Sequence, residues 1–116
     1  MIPLSAKCEF TPSGELLLTL FADANMLQFR PDGENLKADL EVGIADRAAD
    51  GTARTNRSAV TAVVPMAKWE DARKQGITYQ RQWKPAPGAK SLRVILHDVR
   101  NGKYGSLEVA LDRIPR

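Results

Sequence analysis

Cysteine, histidine and aromatic residues are scarce in this chain. Cys8 is the sole cysteine among 116 residues, which excludes an internal disulfide and a cysteine-cluster zinc site. His97 is the sole histidine, and nothing in the sequence brings it to Cys8 as the base that a catalytic cysteine needs. A lone cysteine is usually a small buried hydrophobe, and that is the role we expect for Cys8.

Long apolar runs are missing as well. No stretch approaches the ~20 apolar residues of a membrane-spanning helix, so we expect no membrane span. Residues 1–7 lack the charged start and the apolar stretch of a signal peptide. We therefore expect either a cytoplasmic protein or an excised or mature part of a longer one. An initiator Met followed almost at once by strand-like sequence favours an excised part.

The motifs of common active sites are absent too. No phosphate loop, dinucleotide fingerprint, nucleophile elbow or EF-hand spacing occurs, so we predict no catalytic, cofactor-binding or metal-binding residue and no enzyme. Carboxylates near predicted turns can converge on Ca²⁺, although ordinary turn chemistry also explains them, and the sequence leaves calcium open. They are Asp23, Asp32, Glu34, Asp46 and Asp50.

Charge is distributed unevenly along the chain. Residues 1–58 carry 6 Lys and Arg against 9 Asp and Glu, a net −3, whereas residues 59–116 carry 11 against 5, a net +6. A basic half can mark a nucleic-acid or anionic surface. Because the basic residues are scattered and no Lys/Arg run exceeds two, we favour solvated strand faces that balance on folding and do not expect nucleic-acid binding.

What the chain does have is strand-like alternation between turn signals. Residues 36–46 place apolar side chains on one face and Lys37, Asp39 and Glu41 on the other, which is typical of an antiparallel strand with one buried face. Further strands are predicted at residues 4–10, 15–22, 59–64, 77–83, 91–99 and 107–111. Residues 52–58 are predicted to be a loop or edge strand, and residues 66–75 one short helix ended by Gly76.

This pattern predicts the fold class. Seven or so strands with frequent turn signals indicate an all-β protein, namely an antiparallel β-sandwich of immunoglobulin-like or fibronectin type III-like form, with a small barrel as the alternative. No linker or repeat divides the chain, so we predict a single domain over residues 1–116. Exposed edges of such sheets can pair with a partner or with a second copy, which leaves an edge-strand homodimer open.

The clearest element is a hairpin at residues 91–114, closed by Pro115. Asn101-Gly102 favours a tight turn in which both residues have positive φ. We predict Asp98, Gly102, Gly105 and Ser106 as structural residues of this turn region, with Asp98 as a cap and Gly105 at a bulge or twisted position. His97 alternates away from Asp98, so the two are not expected to form a catalytic or metal-binding pair.

Aromatic side chains are the remaining candidates for ligand contact. Trp69, Tyr79, Trp83 and Tyr104 could form a platform for sugars or bases. We expect Trp69 and Tyr79 to serve the core and retain Trp83 and Tyr104 as ligand-contact candidates. A carbohydrate- or other ligand-binding module is therefore the alternative to a purely structural or interaction domain.

The order of motifs after residue 76 suggests a family. A Gly-x-x-Tyr strand leads to a Pro-Gly turn, then to a Leu-Arg-Val strand ending in Asp, and then to Gly-x-x-Gly-Ser. The chain resembles in this respect the C-terminal β-sandwich region of bacterial von Willebrand factor A-related proteins, over about residues 36–115. The matching positions are Gly76, Tyr79, Pro87, Gly88, Leu92, Arg93, Val94, Asp98, Gly102, Gly105 and Ser106.

The resemblance implies a role. It points to a non-catalytic accessory, interaction or spacer domain of an exported or envelope-associated bacterial protein, and so to an extracytoplasmic location. Its partners would be another protein or neighbouring domains of the parent chain. The metal-ion-dependent adhesion motif Asp-x-Ser-x-Ser does not occur in this sequence, and the resemblance carries no catalytic residue over to it.

Overall fold

The computed structural model describes residues 1–114 as eight strands and one α-helix. In chain order they are β1 (Leu4–Phe10), β2 (Leu16–Ala22), β3 (Arg30–Asp32), β4 (Asn35–Ala48), β5 (Ala53–Pro65), α1 (Trp69–Gln75), β6 (Ile77–Trp83), β7 (Ala89–Asp98) and β8 (Tyr104–Ala110). Short 3₁₀ turns occur at Ala24–Met26, Met66–Lys68 and Leu111–Arg113. Pro115, predicted to close the last hairpin, lies outside the described residues. Over residues 1–114, every helix is too short or too polar to cross a membrane.

The strands form two antiparallel sheets. One has the order β1-β2-β6. In the other, β5 pairs with β4 from Asn35 to Arg47, while β3 and β7 follow each other along the opposite edge of β4 and β8 lies outside β7. This is the predicted all-β sandwich, with three strands packed against five, and β3 is a short strand beyond the predicted seven.

The core fills the space between the two sheets. Its side chains come from every second position of β2, β4 and β7, because successive strand residues point to opposite faces. The most deeply buried of them are Leu16, Leu18, Ala38, Val42, Leu92 and Val94. Burying each large one contributes roughly 1.5–3 kcal/mol, so these stripes hold the sheets together.

Residues 53–65 form one continuous edge strand. The sequence predicted a loop or edge strand followed by a separate strand, but β5 pairs with β4 without interruption from Ala53 to Pro65. The 3₁₀ turn and α1 then occupy the predicted helical region. Gly76 ends α1 with a φ of 80°, and its N–H donates to the Ala72 carbonyl at 2.8 Å.

The β7–β8 hairpin has a wider turn than predicted. Gly102 has a φ of 73°, but no non-glycine residue among those described has a positive φ. The paired positive-φ turn predicted for Asn101-Gly102 is therefore wrong. Residues 99–103 form the turn instead, closed by the Asp98 N–H donating to the Lys103 carbonyl at 2.9 Å.

Gly105 and Ser106 lie in β8 and not in the turn itself. The β7–β8 register runs without a shift through Gly105, so the bulge considered for this position is absent. Gly105 is needed for another reason: a Cβ there would overlap the carbonyl oxygen of Ile2 and lie 2.9 Å from Leu4 Cγ. The Ile2 N–H donates to the Tyr104 carbonyl at 2.6 Å, which holds the N-terminal segment against β8.

Candidate functional site

A trough runs along the outer face of the five-stranded sheet, above the middle of β4. It encloses about 400 Å³. The trough exists because two small residues, Gly43 and Ala45, occupy outward positions of β4 between larger side chains on β5 and β7. We call it the outer trough; it is lined by Glu41, Gly43, Ala45, Arg47, Thr55, Arg57, Arg93, Ile95, His97 and Tyr104.

The outer trough is basic. Three arginines line it against one glutamate. Arg57 and Glu41 approach only to 3.9 Å and are both exposed, so that ion pair contributes little. Arg47 and Arg93 make no ion pair with any described residue. The trough therefore offers guanidinium groups to an acidic partner.

An aromatic stack closes one end of the outer trough. The rings of His97 and Tyr104, which face each other across β7 and β8, are parallel within 7° with centroids 4.3 Å apart. Tyr104 remains 54% exposed. Half-exposed aromatic side chains supply large, rigid contact area to partners, and the stack fixes this one in place.

A second cavity opens between the sheets, where the ends of β4, β5 and β6 meet. We call it the edge pocket. It encloses about 270 Å³ and lies at the open side of the sandwich, because β5 and β6 are edge strands of different sheets. Its lining comprises Ile44, Asp46, Arg54, Thr55, Asn56, Arg81, Trp83 and Lys84.

Asp46 was predicted to be a turn carboxylate, and the structure corrects this. It occupies an inward position of β4, paired in register with Arg54 and Leu92, and only 5% of the residue is exposed. Its Oδ2 accepts hydrogen bonds from Arg54 Nη2 at 2.9 Å and from the Ala86 N–H at 3.1 Å. Extending the 36–44 alternation by one more step would have placed Asp46 inside.

Arg81 was also overlooked by the sequence reasoning. It shares the inward face of β6 with Ile77, Tyr79 and Trp83. Its Nη1 donates to Ser58 Oγ and its Nη2 to Asn56 Oδ1, both at 2.9 Å. These two bonds join the edge strands of the two sheets and hold the guanidinium in a fixed place.

The two predicted ligand-contact residues do not meet. Trp83 lines the edge pocket and packs against the core, whereas Tyr104 lines the outer trough. Cys8 and His97 are likewise apart, since Cys8 lies in the three-stranded sheet and His97 on the outer face of the other. Burial raises the pKa of the Cys8 thiol, which disfavours its nucleophilic form.

Three of the remaining predicted acids, Asp23, Asp32 and Asp50, serve local structure. Asp23 Oδ1 accepts from the Asn25 N–H, and Asp50 Oδ1 accepts from the N–H and hydroxyl of Thr52. The bonds from Thr52 lower the pKa of Asp50, and Lys37 lowers that of Asp32. Among the described residues, no group of three or more His, Cys, Asp and Glu side chains is arranged to hold a metal ion.

Charge balance is mostly local. Within residues 1–114, the Arg100–Asp39 contact of 3.0 Å is the single ion pair between the basic and the acidic half. Folding therefore neutralises charge between the two halves through one ion pair, and not broadly as we expected. Cations of the outer trough and of the edge pocket, such as Arg93 and Arg81, remain without a carboxylate partner among the described residues.

The outer edge of β5 is unpaired with any described strand. Its first five residues are all exposed and include Arg54 and Arg57. Charged side chains on an edge oppose edge-to-edge pairing of identical strands.

Comparison of this chain with protein-family models, with curated proteins and with solved structures finds no match.

Proposed function

We propose that this chain is a non-catalytic interaction module that binds a protein partner on the outer face of its five-stranded sheet. The single observation that carries the proposal is the outer trough: a channel above β4, floored by Gly43 and Ala45 and edged by arginines. An extended, acidic segment of a partner fits such a channel by shape and by charge.

The floor of the outer trough supports this function. A Cβ at Gly43 would meet nothing closer than Arg57 Cγ at 3.9 Å, so packing does not require glycine there. Gly43 also lacks a positive φ, and glycine weakens a strand interior. Neither packing nor backbone conformation therefore requires glycine at position 43, near the centre of the longest strand. We infer that the small residue leaves space on this face for a segment of another chain.

The placement of reactive groups supports a role without catalysis. The sole histidine is engaged in a stack with Tyr104. The sole cysteine lies in the opposite sheet with a raised pKa. The carboxylates Asp98 and Asp46 accept hydrogen bonds from the backbone of loops that they hold in place.

The setting that we propose follows from the resemblance to the C-terminal region of bacterial von Willebrand factor A-related proteins. It is an accessory domain of an exported or envelope-associated protein. Its partner is then a segment of another extracytoplasmic protein or of a neighbouring domain of the same parent chain.

Selection of random peptides on the immobilised domain tests the proposal while the natural partner is unidentified. We expect the selected peptides to be rich in Asp and Glu and to bind in extended form. Gly43→Val, which fills the floor with a good strand former, should weaken their binding roughly tenfold or more, a loss of about 1.4 kcal/mol or greater.

Ala59→Val is the matched control. Ala59 is exposed on the outer face of β5 beside Glu41 but does not line the outer trough. It adds similar bulk to the same face and should leave binding unchanged. Equal binding of the peptides to wild-type and Gly43→Val protein, or peptides that show no excess of acidic residues, would contradict the proposal.

A further inference from the structure

The inward-facing side chains of the sandwich change from apolar to polar towards the edge pocket. Inward positions of β5 are apolar from Val64 to Val60 and then become Ser58, Asn56 and Arg54. On the facing β6, Arg81 interrupts the inward row of Tyr79 and Trp83. Inward positions of a sandwich are normally apolar, so this polar end is a departure that core packing does not explain.

Asp46 gives the edge pocket an unused acceptor. Although 95% of the residue is removed from solvent, its Oδ1 has no hydrogen-bond partner among the described residues. A buried carboxylate oxygen without a donor is unfavourable. Oδ1 is itself closed off from solvent, so a hydroxyl or N–H group of a molecule in the pocket reaches it only after neighbouring side chains shift. The Arg54 side chain, which bonds the other oxygen Oδ2 and is 63% exposed, is free to make such a shift.

Arg81 and Lys84 give the edge pocket unpaired positive charge. Arg81 uses two of its five N–H donors, and both bond to neutral oxygens. Neither Arg81 nor Lys84 forms an ion pair with a carboxylate of residues 1–114. A guanidinium held in place with N–H groups to spare is suited to a carboxylate.

Trp83 supplies an apolar wall. It is half-buried, packs against the core, and lines the edge pocket. Large aromatic side chains that present an apolar surface beside a few convergent polar groups are typical of small-molecule sites. The volume of about 270 Å³ is just below the roughly 300–1,000 Å³ usual for drug-sized ligands, which suits a single ring.

We propose that the edge pocket binds one carboxylate-bearing sugar unit of an acidic polysaccharide, that is, a uronic acid residue. The carboxylate lies against Arg81 and Lys84, a ring hydroxyl donates to Asp46 Oδ1, and the sugar ring packs on Trp83. The edge pocket shares only Thr55 with the lining of the outer trough, and this proposal does not depend on the function proposed for the trough.

Titration of ¹⁵N-labelled protein with oligogalacturonate, with a neutral galactose oligomer as the matched probe, tests the site. The chain contains two tryptophans, and Trp69 packs edge-on against Phe29 with ring centroids 5.2 Å apart. Trp69→Phe therefore identifies the indole signal of Trp83. We expect saturable shifts of that signal and of the Ala86 amide, with the neutral oligomer binding at least tenfold more weakly.

Variants locate the contact. Arg81→Gln should weaken oligogalacturonate binding at least tenfold, and Lys84→Gln, at an exposed position, several-fold. Arg93→Gln, an equal charge change in the outer trough, and Gly43→Val should bind it as wild type does, which separates this site from the proposed protein-binding face.

Four results would overturn the proposal. The first is no saturable shift of Trp83, and the second is equal affinity for acidic and neutral oligomers. The third is equal weakening by Arg93→Gln and by Arg81→Gln or Lys84→Gln, which indicates unspecific attraction by charge. Acetate that reproduces the full set of shifts, including that of Trp83, would show a simple anion site and would also overturn the sugar assignment.

Discussion

The carboxylate of Asp98 accepts a 2.7 Å hydrogen bond from the backbone N–H of Gln28, a residue 70 positions earlier in the chain. Its other oxygen accepts from the N–H groups of Arg100 and Asn101, at 3.0 and 3.3 Å. One fully buried side chain therefore fixes both the β7–β8 turn and the segment that leads into β3.

Removing this carboxylate should be costly. Asp98→Ala leaves three backbone donors without their acceptor, and each buried unsatisfied donor costs about 1–3 kcal/mol. Allowing for water at the turn, we expect a loss of about 3 kcal/mol in the free energy of unfolding, measured by urea denaturation. Asp112→Ala, at an exposed position, is the control and should change stability by less than about 0.5 kcal/mol. Equal effects of the two substitutions would contradict the role of Asp98.

Gly105 should tolerate no side chain. A Cβ there collides with the backbone of Ile2 and with Leu4, and overpacking of this kind costs about 1–3 kcal/mol. We expect Gly105→Ala to lower the free energy of unfolding by about that amount. Gly43→Ala places a Cβ 3.9 Å from Arg57 Cγ, without a clash, and should be neutral or slightly stabilising. Thermal unfolding of both variants checks the pair, and a neutral Gly105→Ala would show that the N-terminal segment is not held against β8.

Asp39 should make stability depend on acid pH. Hydrogen bonds from Arg100 and then from Arg30 hold the pKa of the Asp39 carboxyl below its ordinary value. The stability that this contributes is present above the unfolded pKa of about 3.9, and it is lost as the pH falls through the lower folded pKa.

The Asp39 variant isolates this effect. Asp39→Asn should lower the midpoint of thermal unfolding at about pH 7, and its difference from wild type should vanish towards about pH 2, where the wild-type carboxyl is protonated. Asp112→Asn, which removes no ion pair of the described residues, is the control and should leave the midpoint at about pH 7 unchanged. A difference between Asp39→Asn and wild type that stays constant from pH 7 to pH 2 would exclude the ion pairs as its cause.

Cys8 should be slow to react. Burial raises the pKa of its thiol, and the thiolate is the nucleophile in alkylation. At about pH 8 we expect iodoacetamide to modify the folded protein several-fold more slowly than the same protein in urea. Reaction at the same rate in both states would show that Cys8 is not packed against the core.

The alternating strands could be predicted from the sequence, but the buried polar residue at the end of β4 could not be recognised in the same way. Leu36 to Ile44 predicted a half-buried strand because its apolar positions are two apart. The same spacing of two continues to Asp46. Because Asp46 is a carboxylate next to an expected turn, it was assigned to the turn, although its position in the alternation places it on the buried face. The edge pocket was missed for that reason.

Long-range geometry explains the other differences. The need for Gly105 comes from Ile2, and no local pattern shows a contact between residues so far apart in sequence. The β7–β8 turn is different, because the Asp98 side chain bonds the N–H groups two and three positions further on; there the Asn-Gly signal was given more weight than the neighbouring carboxylate. Small residues such as Gly43 and Ala45 likewise form a trough only when larger side chains on β5 and β7 stand on either side of them.

The most direct test of the proposed function is an amide chemical-shift map of the domain with an acidic peptide selected on it. We predict that the largest shifts fall on outward residues of β4, β5 and β7, centred on Gly43, Arg57 and Ile95, with Tyr104 at the end of the row. Shifts centred on β1, β2 and β6, or spread evenly over the domain, would contradict a protein-binding face at the outer trough.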